Sequence, residues 1–287
     1  MSDWQVDYYS RPVLEPDGRK RWELLVCSDP DGPEGSKPFR FAKPCPADSV
    51  NSLWLREALA EALERSAAEG YARPRRLRCW RQSMRTMVAR GAAALGIELL
   101  ASRRCYALID WLEERTQTVY AREEGFLSGP LAAPLQPVAA AAVPLPEAAR
   151  GERWDWASLP LAALAEAGQW DCGFRALLPL PAASGREDVP VPGIRLFAAE
   201  RALAVAGWIA GLEPVRLDAS GNQLVLDAGI EDRWLLGRLA EREGAAAREA
   251  LLQARQRLGG LQFLAVQASP EERQFAGFWL LRDQPLA

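Results

Sequence analysis

The chain has 287 residues, of which 49% are hydrophobic, and its formal net charge is −3. This length and composition predict a soluble globular protein of about two domains. Because the chain contains no histidine, Ser-His-Asp catalysis, Cys-His catalysis and histidine metal sites are excluded. Any enzyme built on this chain would depend on carboxylates, lysine or a carboxylate-bound metal.

The cysteines and the N-terminal residues indicate the cellular compartment. Five cysteines, widely spaced and never in a C-x-x-C pair, fit neither a zinc ribbon nor a disulfide framework and indicate reduced thiols. The start, MSDWQVDYYS, lacks the basic and apolar regions of a signal peptide, and the apolar stretch 131–146 is interrupted by four prolines. We therefore expect a cytoplasmic protein that spans no membrane and binds no cofactor.

The first half of the chain, residues 1–126, predicts an α/β domain. The turn EPDG at 15–18 separates the first two strands, and Asn51 or Ser52 can cap the first helix, which Gly70 ends. Side-chain periodicity indicates, in chain order, strands at 4–9, 21–28 and 39–43, a helix at 51–70, a strand at 75–81, a helix at 82–96, a strand at 97–102 and a helix at 105–120. This order of elements is that of a ribonuclease H-like domain.

A Pro/Ala-rich stretch without sustained periodicity, residues 127–150, predicts a linker between two domains. The second domain, residues 151–287, contains the tight turn Gly221-Asn222 between two strands. Its predicted elements are strands at 170–180 and 193–199, a helix at 201–212, strands at 215–220, 223–229 and 233–239, a helix at 240–258, and strands at 261–267 and 277–283. The pattern predicts a mixed sheet flanked by helices, similar in order to restriction-endonuclease-like cores. The whole chain is therefore assigned to the α/β (α+β) class.

One segment of this acidic chain is strongly basic. Residues 73–104 contain nine basic side chains and one acidic side chain, whereas residues 1–72 contain nine and 13, and residues 105–287 contain 17 and 24. A solvated helix face normally carries both signs, so a one-sign segment needs another explanation. Arginine binds phosphate oxygens with a planar set of donors and stacks on bases. The segment predicts a surface for single-stranded RNA formed by Arg75, Arg76, Arg78, Trp80, Arg81, Gln82, Arg85, Arg103 and Arg104, with Trp80 as the base-stacking residue.

A second interpretation of the same arginines needs no RNA. They can pair with carboxylates of the acidic flanking regions or of the second domain, as structural arginines usually do. The protein would then be an interaction scaffold without direct RNA contact. The overall acidity favours this alternative, and the local excess of positive charge favours RNA.

The predicted ribonuclease H-like order raises the question of a metal-dependent nuclease. Such enzymes hold two metal ions with carboxylates on the first strand, the first helix and the fourth strand. Asp7 and Glu57 occupy the first two places, but Arg81 and Gln82 occupy the third. A guanidinium there repels a metal cation, so we expect no enzymatic activity.

The second domain gives the same answer for a restriction-endonuclease-like site. Asp218 and Asp227 could serve as its acids, but the position that needs lysine is Gly229, and residues 44–287 contain no lysine. We expect Asp227, Gly229, Asp232 and Arg233 to be turn, capping and ion-pair residues.

The eleven tryptophans are expected to lie mostly in the core. Trp111, Trp208 and Trp279 lie in apolar runs and are predicted to be buried. The C-terminal FWLL at 278–281 is predicted to form a final buried strand.

Several blocks of the sequence resemble a known family: Trp4-x-x-Asp7, Arg11-Pro12, KRWELLVC (20–27), Asn51-Ser52, RCWRQSM (78–84), SRRCYALIDWLEERTQTVY (102–120), GNQLVLDAGIEDRW (221–234), GGLQFLAVQ (259–267) and FWLL. Together they resemble the Tab/Atab family of RNA-binding proteins of cyanobacteria and chloroplasts. The resemblance implies a translation or biogenesis factor for photosystem reaction-centre mRNAs, with mRNA and the translation machinery as partners. Trp279, Leu280 and Leu281 correspond to a family hallmark. Without a transit peptide, a cyanobacterial member is expected.

Overall fold

The computed structural model describes residues 3–29, 38–128, 141–182 and 184–284. These residues form two compact units, 3–128 and 141–284. Both units combine helices with mixed sheets, which confirms the α+β class. Within these ranges, no helix has the length and apolar character needed to cross a membrane.

The first unit contains a five-stranded sheet and three α-helices. Its elements are β1 (Asp3–Leu14), β2 (Lys20–Ser28), β3 (Arg40–Cys45), α1 (Ser52–Ala68), β4 (Arg76–Cys79), α2 (Arg85–Ala93), β5 (Glu98–Ala101) and α3 (Tyr106–Thr118). The strand order is β3-β2-β1-β4-β5. β2 is antiparallel to β1 and β3, whereas β4 is parallel to both β1 and β5. The predicted order of elements is observed, and the ribonuclease H-like assignment remains a prediction.

Local sequence signals explain where these elements begin and which side they bury. The Asn51 side chain accepts hydrogen bonds from the backbone N–H groups of Leu53 and Trp54 at 2.9 and 3.0 Å, which caps α1 as predicted. Alternate residues of β1 and β4 face one core, where they pack against α1 and α2. β4 therefore presents its other residues, including arginines, to the opposite face of the sheet.

The second unit contains two sheets and three α-helices. Its elements are β6 (Val143–Pro144), β7 (Arg153–Pro160), α4 (Leu161–Ala165), β8 (Cys172–Ala176), β9 (Pro190–Phe197), α5 (Ala202–Gly211), β10 (Pro214–Ser220), β11 (Gln223–Ala228), β12 (Asp232–Arg238), α6 (Glu241–Leu258), β13 (Leu261–Gln267) and β14 (Phe275–Arg282). One sheet has the order β10-β11-β12-β6, and the other has the order β7-β9-β13-β14-β8. The restriction-endonuclease-like assignment stays a prediction.

The C-terminal FWLL forms part of β14 and is buried, as predicted. Trp279 and Leu281 face the larger core of the unit, together with residues of α5. Phe278 and Leu280 face a second core on the other side of the sheet. Because a strand alternates its side chains between two faces, this motif joins both cores of the second unit.

Three features of the second half differ from the sequence expectations. Trp208 was predicted to be buried but is 52% exposed, since Val205, Ala206 and Ile209 form the inner side of α5. The prediction was wrong because α5 carries no charged residue that would mark its outer side in the sequence. β7 and α4 have no counterpart among the predicted elements.

The predicted linker, residues 127–150, differs from expectation at its C-terminal end. Leu145 and Ala149 are buried in the core of the second unit, and β6 pairs with β12. Residues 129–140 of the predicted linker lie outside the described residues. Only Leu145 and Ala149 of residues 143–149 are buried, and two isolated buried positions among prolines give no helical or strand period to detect in the sequence.

Candidate nucleic-acid interface

The side chains of β4, within the arginine-rich segment, alternate between the core and ion pairs on the opposite face of the sheet. Leu77 and Cys79 point into the core of the first unit. Arg76 and Arg78 point to the other face of the sheet, where the Arg76 Nη2 lies 2.7 Å from the Asp3 carboxylate. Arg78 is buried and bridges two carboxylates, Asp3 at 2.8 Å and Asp29 at 2.7 Å. These two arginines hold β4 against the strand and loop beside it.

Arg81, just after β4, binds the buried carboxylate of Asp7. Its Nε donates to the Asp7 Oδ1 at 2.6 Å. Its guanidinium carbon also lies 4.2 Å from the centre of the Tyr9 ring and 5.0 Å from the Trp80 ring. Since β1 and β4 run side by side, this contact fixes the point where the chain leaves β4 for α2.

Trp80, Arg103 and Arg104 are also largely enclosed by the protein. Trp80 is only 5% exposed, so little of its ring is open to a stacking base. Arg104 is buried, and its guanidinium carbon lies 5.5 Å from the centre of the Tyr106 ring. Arg103 is half-buried. Trp80 and Arg104 therefore leave little surface open to a ligand.

The remaining predicted residues, Arg75, Gln82 and Arg85, are exposed. Two further exposed arginines of the basic segment, Arg73 and Arg90, were absent from the predicted site although they lie in the same one-sign window. Arg75, Arg85 and Arg90 form no ion pair or side-chain hydrogen bond with the described residues.

We call the four exposed arginines the α2 arginine surface: Arg73, Arg75, Arg85 and Arg90. The guanidinium of Arg73 donates to the Leu95 carbonyl at 2.6 Å, which places it at the C-terminal end of α2. Arg85 and Arg90 lie on α2 itself, which contains no carboxylate. Arg85 opens the helix, where the helix dipole disfavours a cation and favours an anion nearby. The surface is thus suited to a polyanion.

On the sheet face opposite α1 and α2, Asp7 and Glu23 form a buried network with arginines. The Arg11 Nη1 lies 2.7 Å from the Asp7 Oδ2, and the Arg11 Nε lies 3.2 Å from the Glu23 Oε2. Arg115 and Tyr120 also donate to the Glu23 carboxylate. Each buried carboxylate is therefore matched by more than one donor, as a buried charge requires.

The pKa of Asp7 reflects this network. Burial alone would raise the pKa of the carboxyl group, but the positive charges of Arg11 and Arg81 outweigh it and lower the pKa below its ordinary value of 3.8. Asp7 is therefore ionised at neutral pH. Both of its oxygens accept hydrogen bonds from guanidinium groups.

The positions predicted for a nuclease do not come together as metal ligands. Asp7 is fully buried and bound by Arg11 and Arg81. The Glu57 side chain is 70% exposed and lies 3.5 Å from Arg56. In the described ranges, no group of three or more histidine, cysteine or acidic residues is arranged to hold a metal ion.

The predicted acids of the second unit are likewise bound by arginine. Asp227 is buried and pairs with Arg216 at 2.8 Å and with Arg233 at 3.0 Å. Arg233 also pairs with Asp218 at 2.7 Å. Gly229 has a φ of 52°, as a turn glycine does. The predicted ion-pair and turn roles are observed for these residues.

Comparison with known proteins connects both units to one family. The model described as RNA-binding protein Tab2/Atab2 N terminal matches residues 3–115, and the model described as RNA-binding protein Tab2/Atab2, C-terminal domain, matches residues 132–282. The chain is 35% identical to the Protein TAB2 homolog, chloroplastic, of Zea mays, over 99% of this chain and 72% of the relative. It is 32% identical to the protein of that name from Arabidopsis thaliana, over 99% of this chain and 75% of the relative. No solved structure matches it.

The buried network gives a prediction for stability. Replacing Asp7 with asparagine leaves the guanidiniums of Arg11 and Arg81 without their shared counter-charge. We expect the free energy of unfolding at pH 7, measured in urea, to fall by about 3–5 kcal/mol. The matched control is Asp17→Asn, since Asp17 forms an exposed pair with Arg19 at 3.2 Å, and its change should be below about 1 kcal/mol.

The same variant tests the direction of the pKa shift. Because the folded-state pKa of Asp7 is lowered, its stabilising effect is complete above the unfolded-state value and is lost as the pH falls through the folded value. Wild type should therefore lose stability more steeply than Asp7→Asn as the pH is lowered through 3.8. Equal pH dependence in the two proteins would contradict an ionised, arginine-bound Asp7.

Proposed function

Because the chain belongs to the Tab2/Atab2 family of RNA-binding proteins, we propose that it binds single-stranded RNA through the α2 arginine surface. One observation carries this proposal: Arg75, Arg85 and Arg90 are exposed and make no ion pair with the described residues. Arg76, Arg78 and Arg81, in contrast, are bound to carboxylates.

The difference between paired and exposed arginines has an energetic consequence. An arginine that already binds a buried carboxylate can reach a phosphate only if it leaves that carboxylate uncompensated, which costs several kcal/mol. An exposed guanidinium loses only water and releases condensed counterions from the nucleic acid when it binds a phosphate. RNA is therefore expected to contact the α2 arginine surface and not the arginines within the sheet.

The salt dependence of binding tests this assignment. Each phosphate contact on a single strand contributes a slope of about −0.7 to log K against log salt. We expect Arg85→Ala with Arg90→Ala to flatten the slope by about 1.4 and to leave the melting temperature unchanged. The measurement is a titration of a fluorescent single-stranded RNA at several salt concentrations, beside a thermal melt of each protein.

The control for this experiment removes the same charge elsewhere. Arg242 and Arg257 are exposed on α6 in the second unit, and Arg242→Ala with Arg257→Ala should leave the slope close to wild type. An equal flattening in both double variants would mean that overall charge, not the α2 arginine surface, determines binding. If wild type itself binds no RNA, the protein-interaction scaffold becomes the better account.

We also propose that the protein is not an enzyme. A nuclease of the ribonuclease H-like kind would need a free carboxylate at Asp7, and Arg81 is bound to that carboxylate at 2.6 Å. Purified protein incubated with labelled RNA and DNA in Mg²⁺ or Mn²⁺ should leave both intact. Cleavage by wild type that is lost in Asp218→Asn or Glu57→Gln would overturn this proposal.

The finer biological role is proposed from the resemblance. We place the chain in the cytoplasm of a cyanobacterial cell, where it acts on translation or biogenesis through photosystem reaction-centre mRNAs; two relatives are chloroplast proteins by name. Crosslinking of the tagged protein to RNA in a cyanobacterial host, followed by sequencing, should enrich these mRNAs. Arg85→Ala with Arg90→Ala should remove the enrichment. Enrichment of unrelated transcripts in wild type would contradict the role while leaving RNA binding intact.

A further inference from the structure

The second unit contains a cavity far along the chain from the basic segment. It has a volume of about 370 Å³ and lies beside strands β7, β9 and β13. Its lining residues include the aromatic residues Phe263 and Phe275 and the polar residues Arg195 and Gln267. A cavity of this size, with apolar and aromatic residues and a few polar groups in its lining, falls within the range of small-ligand sites.

Gln267 contributes a buried acceptor to this cavity. The residue is only 3% exposed. Its Nε2 donates to the Glu272 carbonyl at 2.6 Å, which fixes the orientation of the amide because a carbonyl oxygen only accepts. The Oε1 atom of the same amide is buried and has no hydrogen-bond partner among the described residues. A buried polar atom without a partner is costly, so it needs an explanation, such as a partner that a ligand supplies.

Arg195 contributes a buried donor to the same cavity. Its Nε has no hydrogen-bond partner among the described residues. The nearest carboxylate, Asp155, lies 3.9 Å from its Nη2, beyond hydrogen-bond distance. The guanidinium carbon lies 5.1 Å from the centre of the Phe197 ring. The arginine is thus held in place by an aromatic contact and a long ion pair, and one of its N–H groups remains available.

The combination of groups identifies the chemistry of a ligand. Gln267 on β13 and Arg195 on β9 lie on the same face of two paired strands, two residues apart in register. An acceptor and a donor on neighbouring strands match the Watson–Crick edge of an unpaired nucleobase, where a donor and an acceptor lie side by side. Aromatic side chains bind the faces of such bases. A free phosphate would leave the Gln267 Oε1 unsatisfied, and a metal cation would be repelled by Arg195.

We propose that this cavity binds one unpaired nucleobase of a single-stranded RNA, with Gln267 and Arg195 contacting its Watson–Crick edge. The proposal rests on the proposed function, because the base belongs to the same RNA whose phosphates contact the α2 arginine surface. The two sites differ in what they contribute: phosphate contacts are independent of sequence, whereas a base pocket discriminates between bases. The protein should therefore show a base preference that the arginine surface alone does not produce.

The test compares homopolymers on the full chain. Fluorescent single-stranded oligo(A), oligo(C) and oligo(U) are titrated with wild type, Arg195→Lys and Gln267→Leu. Arg195→Lys keeps the charge but removes the Nε donor. Each variant should reduce the ratio between the tightest and the weakest homopolymer about tenfold, since a lost base hydrogen bond has that effect. The salt slope should stay at the wild-type value.

Matched controls on α6 separate this effect from general damage. Arg242→Lys and Gln256→Leu change the same residue types at exposed positions and should keep the wild-type preference. A thermal melt identifies any variant that fails to fold, and Arg195→Lys keeps the test valid if Gln267→Leu is unstable.

The outcomes distinguish this proposal from the proposed function. Wild type that binds RNA with no base preference, or folded variants that keep the wild-type preference, would overturn the base pocket and leave the arginine surface intact. Wild type that binds none of the homopolymers would overturn both. A reduced preference with an unchanged salt slope supports the pocket.

Discussion

The buried carboxylate of Asp7, bound between Arg11 and Arg81, is the interaction on which the first unit depends. An ionised carboxylate in a dry core is tolerated only when donors surround it. Here the donors are Arg11 of β1 itself and Arg81, two residues after the end of β4. The contact determines where the chain leaves β4 and therefore where α2 begins. Arg81, which is itself largely buried, therefore sets where the exposed arginines of α2 lie.

The second unit meets the same constraint with the same residue type. Asp227 on β11 is enclosed by Arg216 and Arg233, and Arg216 continues to Asp283 at 2.7 Å. A guanidinium can bind two carboxylates at once through different nitrogens, which a lysine ammonium does less well and with less fixed geometry. This requirement gives a physical reason for the use of arginine in a region, residues 44–287, that contains no lysine.

The elements of the first unit were predictable because each carries a local signal, such as the cap at Asn51 or the alternation in β4. The division of the arginines was not, since the partners of Arg76 and Arg78 are Asp3 and Asp29, more than forty residues away in sequence. A count of charges in a window cannot distinguish a paired guanidinium from a free one.

Two other features were beyond sequence reasoning for related reasons. The outer side of α5 is as apolar as its inner side, so Trp208 gave no sign of its exposure. The cavity in the second unit is lined by residues of separate strands, including Arg195 and Gln267. Strand pairing determines which residues are neighbours there: Arg195 of β9 lies beside Ala265 of β13 and Asp155 of β7. Pairing across a sheet leaves no short motif in the chain.

A chain with a net charge of −3 can still bind a polyanion, because charges separated by more than about 8 Å are largely screened at physiological salt. What matters is the charge near the contact. Arginines bound to carboxylates add almost no net field, so the field at α2 comes from Arg75, Arg85 and Arg90 and not from the whole basic segment. A few phosphate contacts give moderate affinity without sequence preference. Any preference between bases then has to come from a site that contacts the bases, which is the role we propose for Gln267 and Arg195.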